Sequence, residues 1–240
     1  MKMKTHIKRL WKSAGTMIPT VLAMAVSVFA QDPVDFVETW TDPVTSWTND
    51  SADVTMSQID DGTNGYMNLQ FADQDFPSLI DDIARVNLTT GTVMTNISFR
   101  FMAEDTEPSK AKVAFYSEVS GNTWLINLTI SSSGDWVEMN VPVDFAQGWY
   151  MGPASAADQF DADLRSASWV GIYVRRYGDR DIQNYRVDDF RIQGRLDTDG
   201  DLLYDAEEEA YGTLIDDIDS DDDGYTDYEE IIAGSDPLDN

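Results

Sequence analysis

The sequence contains no cysteine and a single histidine, His6. Without thiols there is no disulfide to staple the fold, no thiolate nucleophile and no thiolate-held metal. With the one imidazole at His6, a Ser-His-Asp triad and an imidazole-ligated zinc site are excluded from everything downstream. Positive charge is scarce as well. Sixteen Lys and Arg stand against 44 Asp and Glu, a formal charge of −28. Nucleic acid and anionic membrane surfaces are held by clustered Lys and Arg, so neither is an expected partner. Long apolar runs are limited to one, Met17 to Phe29.

That run belongs to an export signal. Lys2, Lys4, Lys8, Arg9 and Lys12 precede it with no acid among them, and Val28-Phe-Ala30 closes it with small residues. A basic start, a short apolar stretch and a small-residue end describe a secretory signal peptide. A membrane anchor needs about 20 apolar residues, so no membrane insertion is expected. The expectation is a signal peptide over 1–30, cleaved after Ala30, and a secreted protein, extracellular or at the cell surface. The mature chain then keeps 11 basic residues against 44 acids, a formal charge of −33.

The basic residues stop at Arg195. From Leu196 onward there are 18 Asp and Glu and no Lys or Arg. An acidic run of this kind is ordinarily a solvated, self-repelling tail. This one is in register with itself. Asp197 and Asp219, Asp199 and Asp221, Asp201 and Asp223, Asp205 and Asp227, and Glu208 and Glu230 are each 22 residues apart, as are Gly212 and Gly234. An internal repeat has to be read before anything else.

The spacing has a reason. Ca²⁺ takes about six to eight oxygens, and a twelve-residue loop aims side chains from its positions 1, 3, 5, 9 and 12 at one centre. Position 6 turns the chain through positive φ, where glycine is at ease. The second copy fits throughout, with Gly224 at the turn, whereas the first carries Leu202 there. Leucine at positive φ is strained. The first loop is therefore expected to be weaker or differently shaped, with Asp223→Ala costing more than Asp201→Ala. The cofactor expected is calcium.

These residues resemble the bacterial thrombospondin type 3 repeat, a D-x-D-x-D-G-x-x-D-x-x-E core followed by a short helix and G-T/S-D-P. Gly234-Ser235-Asp236-Pro237 matches the ending, and Asp236 joins the metal candidates; the first copy ends Gly212-Thr213-Leu214-Ile215 and lacks the Asp-Pro. The resemblance covers 196–240 and implies two calcium-binding repeats.

Between residues 31 and 195 the pattern has period two. Ile97, Phe99 and Phe101 alternate with Asn96, Ser98 and Arg100; Trp124, Ile126 and Leu128 with Leu125, Asn127 and Thr129; Val137, Met139, Val141 and Val143 with Trp136, Glu138 and Asn140; and Val170, Ile172 and Val174 with Trp169, Gly171, Tyr173 and Arg175. Alternation of this kind marks strands with one face on a core. About ten short strands separated by Gly, Asn and Asp turns predict one all-β domain, an antiparallel jelly-roll β-sandwich. The last strand changes phase at Asp188-Asp189: Tyr185 and Val187 precede it, Phe190 and Ile192 follow. A β-bulge there would restore the inward face.

The ends of this domain resemble galactose-binding-domain-like jelly rolls, a superfamily rich in carbohydrate-binding modules. The resemblance rests on Asp35-Phe-Val-Glu38-Thr-Trp40 with Trp47, on Trp169 to Arg176, and on Tyr185 to Ile192. It implies a structural calcium held by Glu38 and by Asp188 or Asp189.

Aromatics supply the ligand candidates. Trp124 shares a face with Ile126 and Leu128 and is expected in the core. Trp136, Trp169 and Tyr173 fall on the polar phase of their strands. An exposed ring with a polar handle suits stacking on a sugar face, although ordinary edge packing uses the same residues. The stretch 146–166 reads as a long loop in which Trp149 and Tyr150 form a ligand platform or a lid on the core. The function expected is non-enzymatic binding of polysaccharide or cell-surface glycan by a secreted calcium-binding protein. The alternatives are an adhesion module with a protein partner and a carboxylate-dependent glycan-active enzyme.

Overall fold

The computed structural model describes residues 34–38, 40, 46–60, 62, 65–73, 80–130, 134–153, 155–178 and 181–240. The expected signal peptide and its cleavage site lie outside them. Among the described residues no helix is long and apolar enough to cross a membrane. The chain divides at Arg195/Leu196 into two compact units.

The first unit is an antiparallel jelly-roll β-sandwich of eleven strands: β1 (Val34–Glu38), β2 (Trp47–Thr48), β3 (Val54–Asp60), β4 (Gly65–Phe71), β5 (Asp81–Asn87), β6 (Thr92–Ala103), β7 (Lys110–Ser117), β8 (Thr123–Leu128), β9 (Val137–Pro142), β10 (Ala167–Arg175) and β11 (Gln183–Leu196). One sheet runs β3-β4-β11-β6-β9 with β1 also on β11, and the other runs β2-β5-β10-β7-β8. The period-two residues meet between them. Met67, Leu69, Phe71, Ile97, Phe99, Phe101, Val187 and Ile192 come from the first sheet and Ala84, Val86, Val113, Phe115, Val170, Ile172 and Val174 from the second, all buried. Trp124 is buried as expected.

The phase change in β11 is real. Asp189 takes φ 48°, and Tyr185, Val187, Phe190 and Ile192 are all buried despite it. The irregularity falls where partners change. β4 pairs with β11 up to Val187 and β1 pairs from Phe190 onward. An unpaired residue between two partners is where an extra residue costs least.

The segment 146–166 is not a structureless loop. It contains helix α1 (Ala157–Arg165), whose Phe160 and Leu164, four residues apart on one helical face, are buried. Asp158 in its first turn and Arg165 in its last suit the helix dipole.

In the second unit each acidic loop leads into a short helix, α2 (Asp205–Tyr211) and α3 (Asp227–Ala233). In each, the third helical residue, Glu207 or Glu229, accepts from the N–H of the cap residue, Thr226 completing a capping box in the second, and both end on a left-handed glycine, Gly212 or Gly234. The 22-residue repeat of the sequence is thus a repeat of local structure.

Candidate metal loops and ligand face

Each loop is wound by its own aspartates. In the first, Asp197 accepts from Gly200 N–H at 2.9 Å, Asp199 from Asp201 N–H at 3.1 Å and Asp201 from Leu203 N–H at 2.6 Å. In the second, Asp219 accepts from Gly224 N–H at 2.8 Å, Asp221 from Asp223 N–H at 3.1 Å and Asp223 from Tyr225 N–H at 2.9 Å. Side chains that hold the turn in this way leave their remaining oxygens directed together. Oxygens of Asp197, Asp199 and Asp201 lie within 4.8 Å of one another, and so do those of Asp219, Asp221 and Asp223.

Position 12 adds a carboxylate that has nothing else to do. Glu208 is fully buried, and neither of its side-chain oxygens has a hydrogen-bond partner. Glu230 is buried with Oε2 unpartnered, and Asp199 and Asp221 each carry one unpartnered Oδ2. Burial, then repulsion from Asp199, Asp201, Asp205 and Asp197, pushes the Glu208 carboxyl up to about 8; burial and neighbouring aspartates lift Asp199 to about 6. Asp221 and Glu230 move the same way for the same reasons. A buried, unpartnered carboxylate is costly. Oxygen donors clustered at this density fit a hard divalent cation, which would answer them all at once.

Position 9 differs from the expectation that it supplies a direct ligand. Asp205 accepts from Thr198 N–H and Oγ1 at 2.8 Å each, and Asp227 accepts from Ser220 N–H at 3.0 Å and Oγ at 2.7 Å. With both oxygens engaged, these two aspartates brace the loop by tying its ninth residue to its second. Asp236 stands apart from both trios and accepts from Leu238 N–H at 3.2 Å in the closing turn. The loops also touch: Asp201 Oδ2 accepts from Tyr228 N–H at 3.0 Å, so a first-loop carboxylate sits against helix α3 of the second repeat.

In the sandwich, a side-chain cation lies against two of the three acids, Glu38, Asp188 and Asp189, at which a metal is expected. Arg100 on β6 hydrogen-bonds Asp188 and pairs with Asp189 at 3.0 Å. Glu38 accepts from Trp40 N–H at 3.0 Å. Both aspartates pair with one guanidinium, Asp188 buried and Arg100 and Asp189 partly exposed, and the three acids form no converging group among the described residues.

The five aromatic candidates separate into three places. Trp149 is 2% exposed, packs on Phe115 and Phe160 at ring-centre distances of 5.3 and 6.0 Å, and donates from Nε1 to Pro142 O at 3.0 Å. It is a core residue, because α1 closes over it. Trp136 lies with Tyr66 on the outer face of the six-stranded sheet, beneath Arg100. Trp169, Tyr173 and Tyr150 share the outer face of the other sheet.

That face is built in cross-strand rows. Trp169 of β10 lies beside Tyr116 of β7, their rings stacked at 5.6 Å. The next row is small: Gly171 and Ala114, flanked by Arg85 and Leu125. A Cβ on Gly171 would stand 2.5 Å from the Ala84 carbonyl oxygen and 2.9 Å from the Arg85 Cβ, so only glycine fits. Arg85 crosses there to lie 5.3 Å from the Trp169 ring centre. The third row is Tyr173, Lys112 and Asn127. Tyr150 joins it from beyond the sheet edge by pairing with Leu125 and donating to Asn127 Oδ1 at 3.2 Å. Asp81 locks Tyr173, accepting from its hydroxyl at 2.7 Å and from Arg175 Nη2 at 2.6 Å. Burial and this bond push Tyr173 up to about 12, so it stays a phenol. Burial works against the Asp81 carboxylate, but the Tyr173 and Arg175 bonds outweigh it and hold the group below its ordinary value. Two rows of rings about 13 Å apart along the strands, with buried Gly171 and Ala114 between them, outline a trough that Arg85 partly fills. Sequence reasoning missed Tyr116, Arg85, Lys112 and Asp81, although Lys110, Lys112 and Tyr116 oppose the phase of buried Val113 and Phe115.

Residues 219–240 match the bacterial TSP3 repeat. The sandwich is similar to the family 11 carbohydrate-binding module of the cellulase Lic26A-Cel5E of Clostridium thermocellum, at 16% identity and a TM-score of 0.45 over 68% of this chain and 94% of that one. It is also similar to the CBM22-1 xylan-binding domain of Paenibacillus barcinonensis Xyn10C, at 11% identity and 0.44 over 68% and 96%. A third likeness is the K1 adhesin domain of Lys-gingipain from Porphyromonas gingivalis W83, at 13% identity and 0.40 over 66% and 97%. No curated protein matches the chain.

Proposed function

We propose that this is a secreted, non-enzymatic protein that binds calcium through its two C-terminal loops and glycan through the outer face of the five-stranded sheet. The buried, unpartnered carboxylate oxygens of Glu208 and Glu230 carry the calcium reading. Nothing in a metal-free tail offsets them, and calcium takes oxygen donors of this number and kind. Calorimetric titration of chelator-stripped protein with calcium should show uptake at two sites; no heat in excess of dilution would refute it.

The stacked Trp169–Tyr116 pair, set across the Gly171 floor from the locked Tyr173, carries the glycan reading. Aromatic rings held rigidly by their neighbours offer apolar area at little entropic cost, which suits stacking on sugar faces. The carboxylate on this face speaks against hydrolysis. A general acid needs a carboxyl raised toward neutrality, and Asp81 is held below its ordinary value by Tyr173 and Arg175. A soluble polysaccharide array tests the reading, because a module for a protein partner should ignore every sugar. Trp169→Ala should remove glycan binding with little change in Tm. Trp149→Ala should instead cost about 3–5 kcal/mol of stability, as expected for a buried aromatic. The opposite assignment of the two effects would place the site elsewhere.

A further inference from the structure

The chain is poor in positive charge, yet what it has is not evenly spread. Beyond Lys12 only two lysines occur, Lys110 and Lys112, and both lie on the trough side of β7. Arg85 of β5 and Arg175 of β10 join them across the registered pairs Gly171–Arg85 and Arg175–Lys110. The strands of this sheet contain two acids: Asp81, which faces the trough, and Asp82, which is buried. Four cations therefore gather on one face of a protein whose formal charge is −28.

The two kinds of cation are used differently. Arg85 pairs with Asp50 at 2.5 Å and Arg175 with Asp81 at 2.6 Å. The guanidinium forks, which favour clamping oxyanions through two parallel bonds, are thus engaged within the protein. The lysines have no ion-pair partner among the described residues. Lys112 sits between two rings, its Nζ 5.1 Å from the centre of Tyr173 and 5.4 Å from that of Tyr150. Its ammonium therefore stands in the middle of the surface on which a sugar would stack. The second lysine, Lys110, follows two residues along the strand, its backbone about 6.6 Å further on. A neutral glycan could meet such a charge only with hydroxyl acceptors, whereas an anionic one adds a charge-assisted bond.

We propose that the ligand of this trough is an acidic polysaccharide of the polyuronate class, with successive sugar carboxylates meeting Lys112 and Lys110 while the rings stack on Trp169, Tyr116 and Tyr173. The proposal deepens the glycan reading and rests on it. A test that separates the two uses the full chain at fixed calcium with uronic-acid oligosaccharides too short to gel. Their methyl-esterified forms keep the same backbone without the charge, and a sulfated oligosaccharide and a neutral xylan oligosaccharide serve as comparators. The acid form should bind, and its methyl ester should bind at least about tenfold more weakly, the scale of one lost charge-assisted contact. Lys112→Met keeps the apolar stem and should lose about the same factor; Lys112→Arg should retain binding, and raising the salt should weaken it.

If the methyl ester, xylan or sulfated oligosaccharide binds as tightly as the acid, the uronate assignment is wrong while the glycan reading stands. If no oligosaccharide binds, both fall. Asp223→Ala separates a last possibility: loss of uronate binding in that variant would mean calcium in the tail bridges to the ligand, and the trough would not be its site.

Discussion

The two acidic loops are the same structure made with different residues at the decisive turn. Leu202 takes φ 94° and Gly224 takes φ 98°. The aspartates at positions 3 and 5 make the same turns in both. The one at position 1 accepts from Gly200 in the first loop and from Gly224 in the second, and the same Thr or Ser brace ties position 2 to position 9. Backbone shape at position 6 is therefore set by the ring of carboxylates, and the residue there sets only its cost. For a leucine in left-handed backbone that cost is on the order of 1–2 kcal/mol. The first loop is nonetheless the better enclosed. Asp197, Asp201 and Glu208 are buried, whereas Asp223 is exposed. The Tyr228 N–H donated to Asp201 also has no counterpart in the second loop among the described residues. The strained loop is thus held by its neighbour.

This reverses the ranking expected from glycine alone. Asp201→Ala removes one carboxylate from the first trio and also leaves the Tyr228 N–H without its acceptor, so it should weaken calcium uptake at both sites. Asp223→Ala should affect the second site alone. Both losses should exceed tenfold at the site directly altered, since an ionised ligand is removed. Calorimetry on the two variants decides the order, and equal, purely local effects would show that the loops act independently. A smaller effect comes from exchanging the turn residues. Leu202→Gly should tighten the first site by roughly five- to thirtyfold, the released left-handed cost converted to affinity. Gly224→Leu should loosen the second by a similar factor, because a Cβ at Gly224 meets nothing within 4 Å and only the backbone cost remains. Unequal shifts would reveal strain shared between the loops.

Much of this was legible in the sequence where a short-range rule governs it. The 22-residue register fixed the loops because every aspartate turn spans two to five residues. The bulge at Asp188-Asp189 could be read from the change of phase in one strand, and the buried faces of β6 and β10 from simple alternation. What stayed hidden depends on distant partners. Arg100 answers Asp188 from 88 residues away, and no local pattern announces that pairing. Helix α1 presents two buried apolar side chains, Phe160 and Leu164, among small and acidic residues, too little periodicity to compete with a loop reading. Missing the helix left the burial of Trp149 undecided. Asp205 and Asp227 share the ligand spacing, and only the hydrogen bonds to Thr198 and Ser220 show that they brace the loop.

The central claim is that the tail is shaped by calcium while the sandwich stands on its own core. Hydrogen exchange read by mass spectrometry on the intact chain compares the two directly, in calcium and after chelation. Peptides spanning α2 and α3 should be protected in calcium and exchange freely in chelator, because a segment with 18 acids and no Lys or Arg of its own cannot stay compact unaided. Peptides from β6, β7 and β10 should show the same protection in both conditions. Protection of α2 and α3 that survives chelation unchanged would contradict the account.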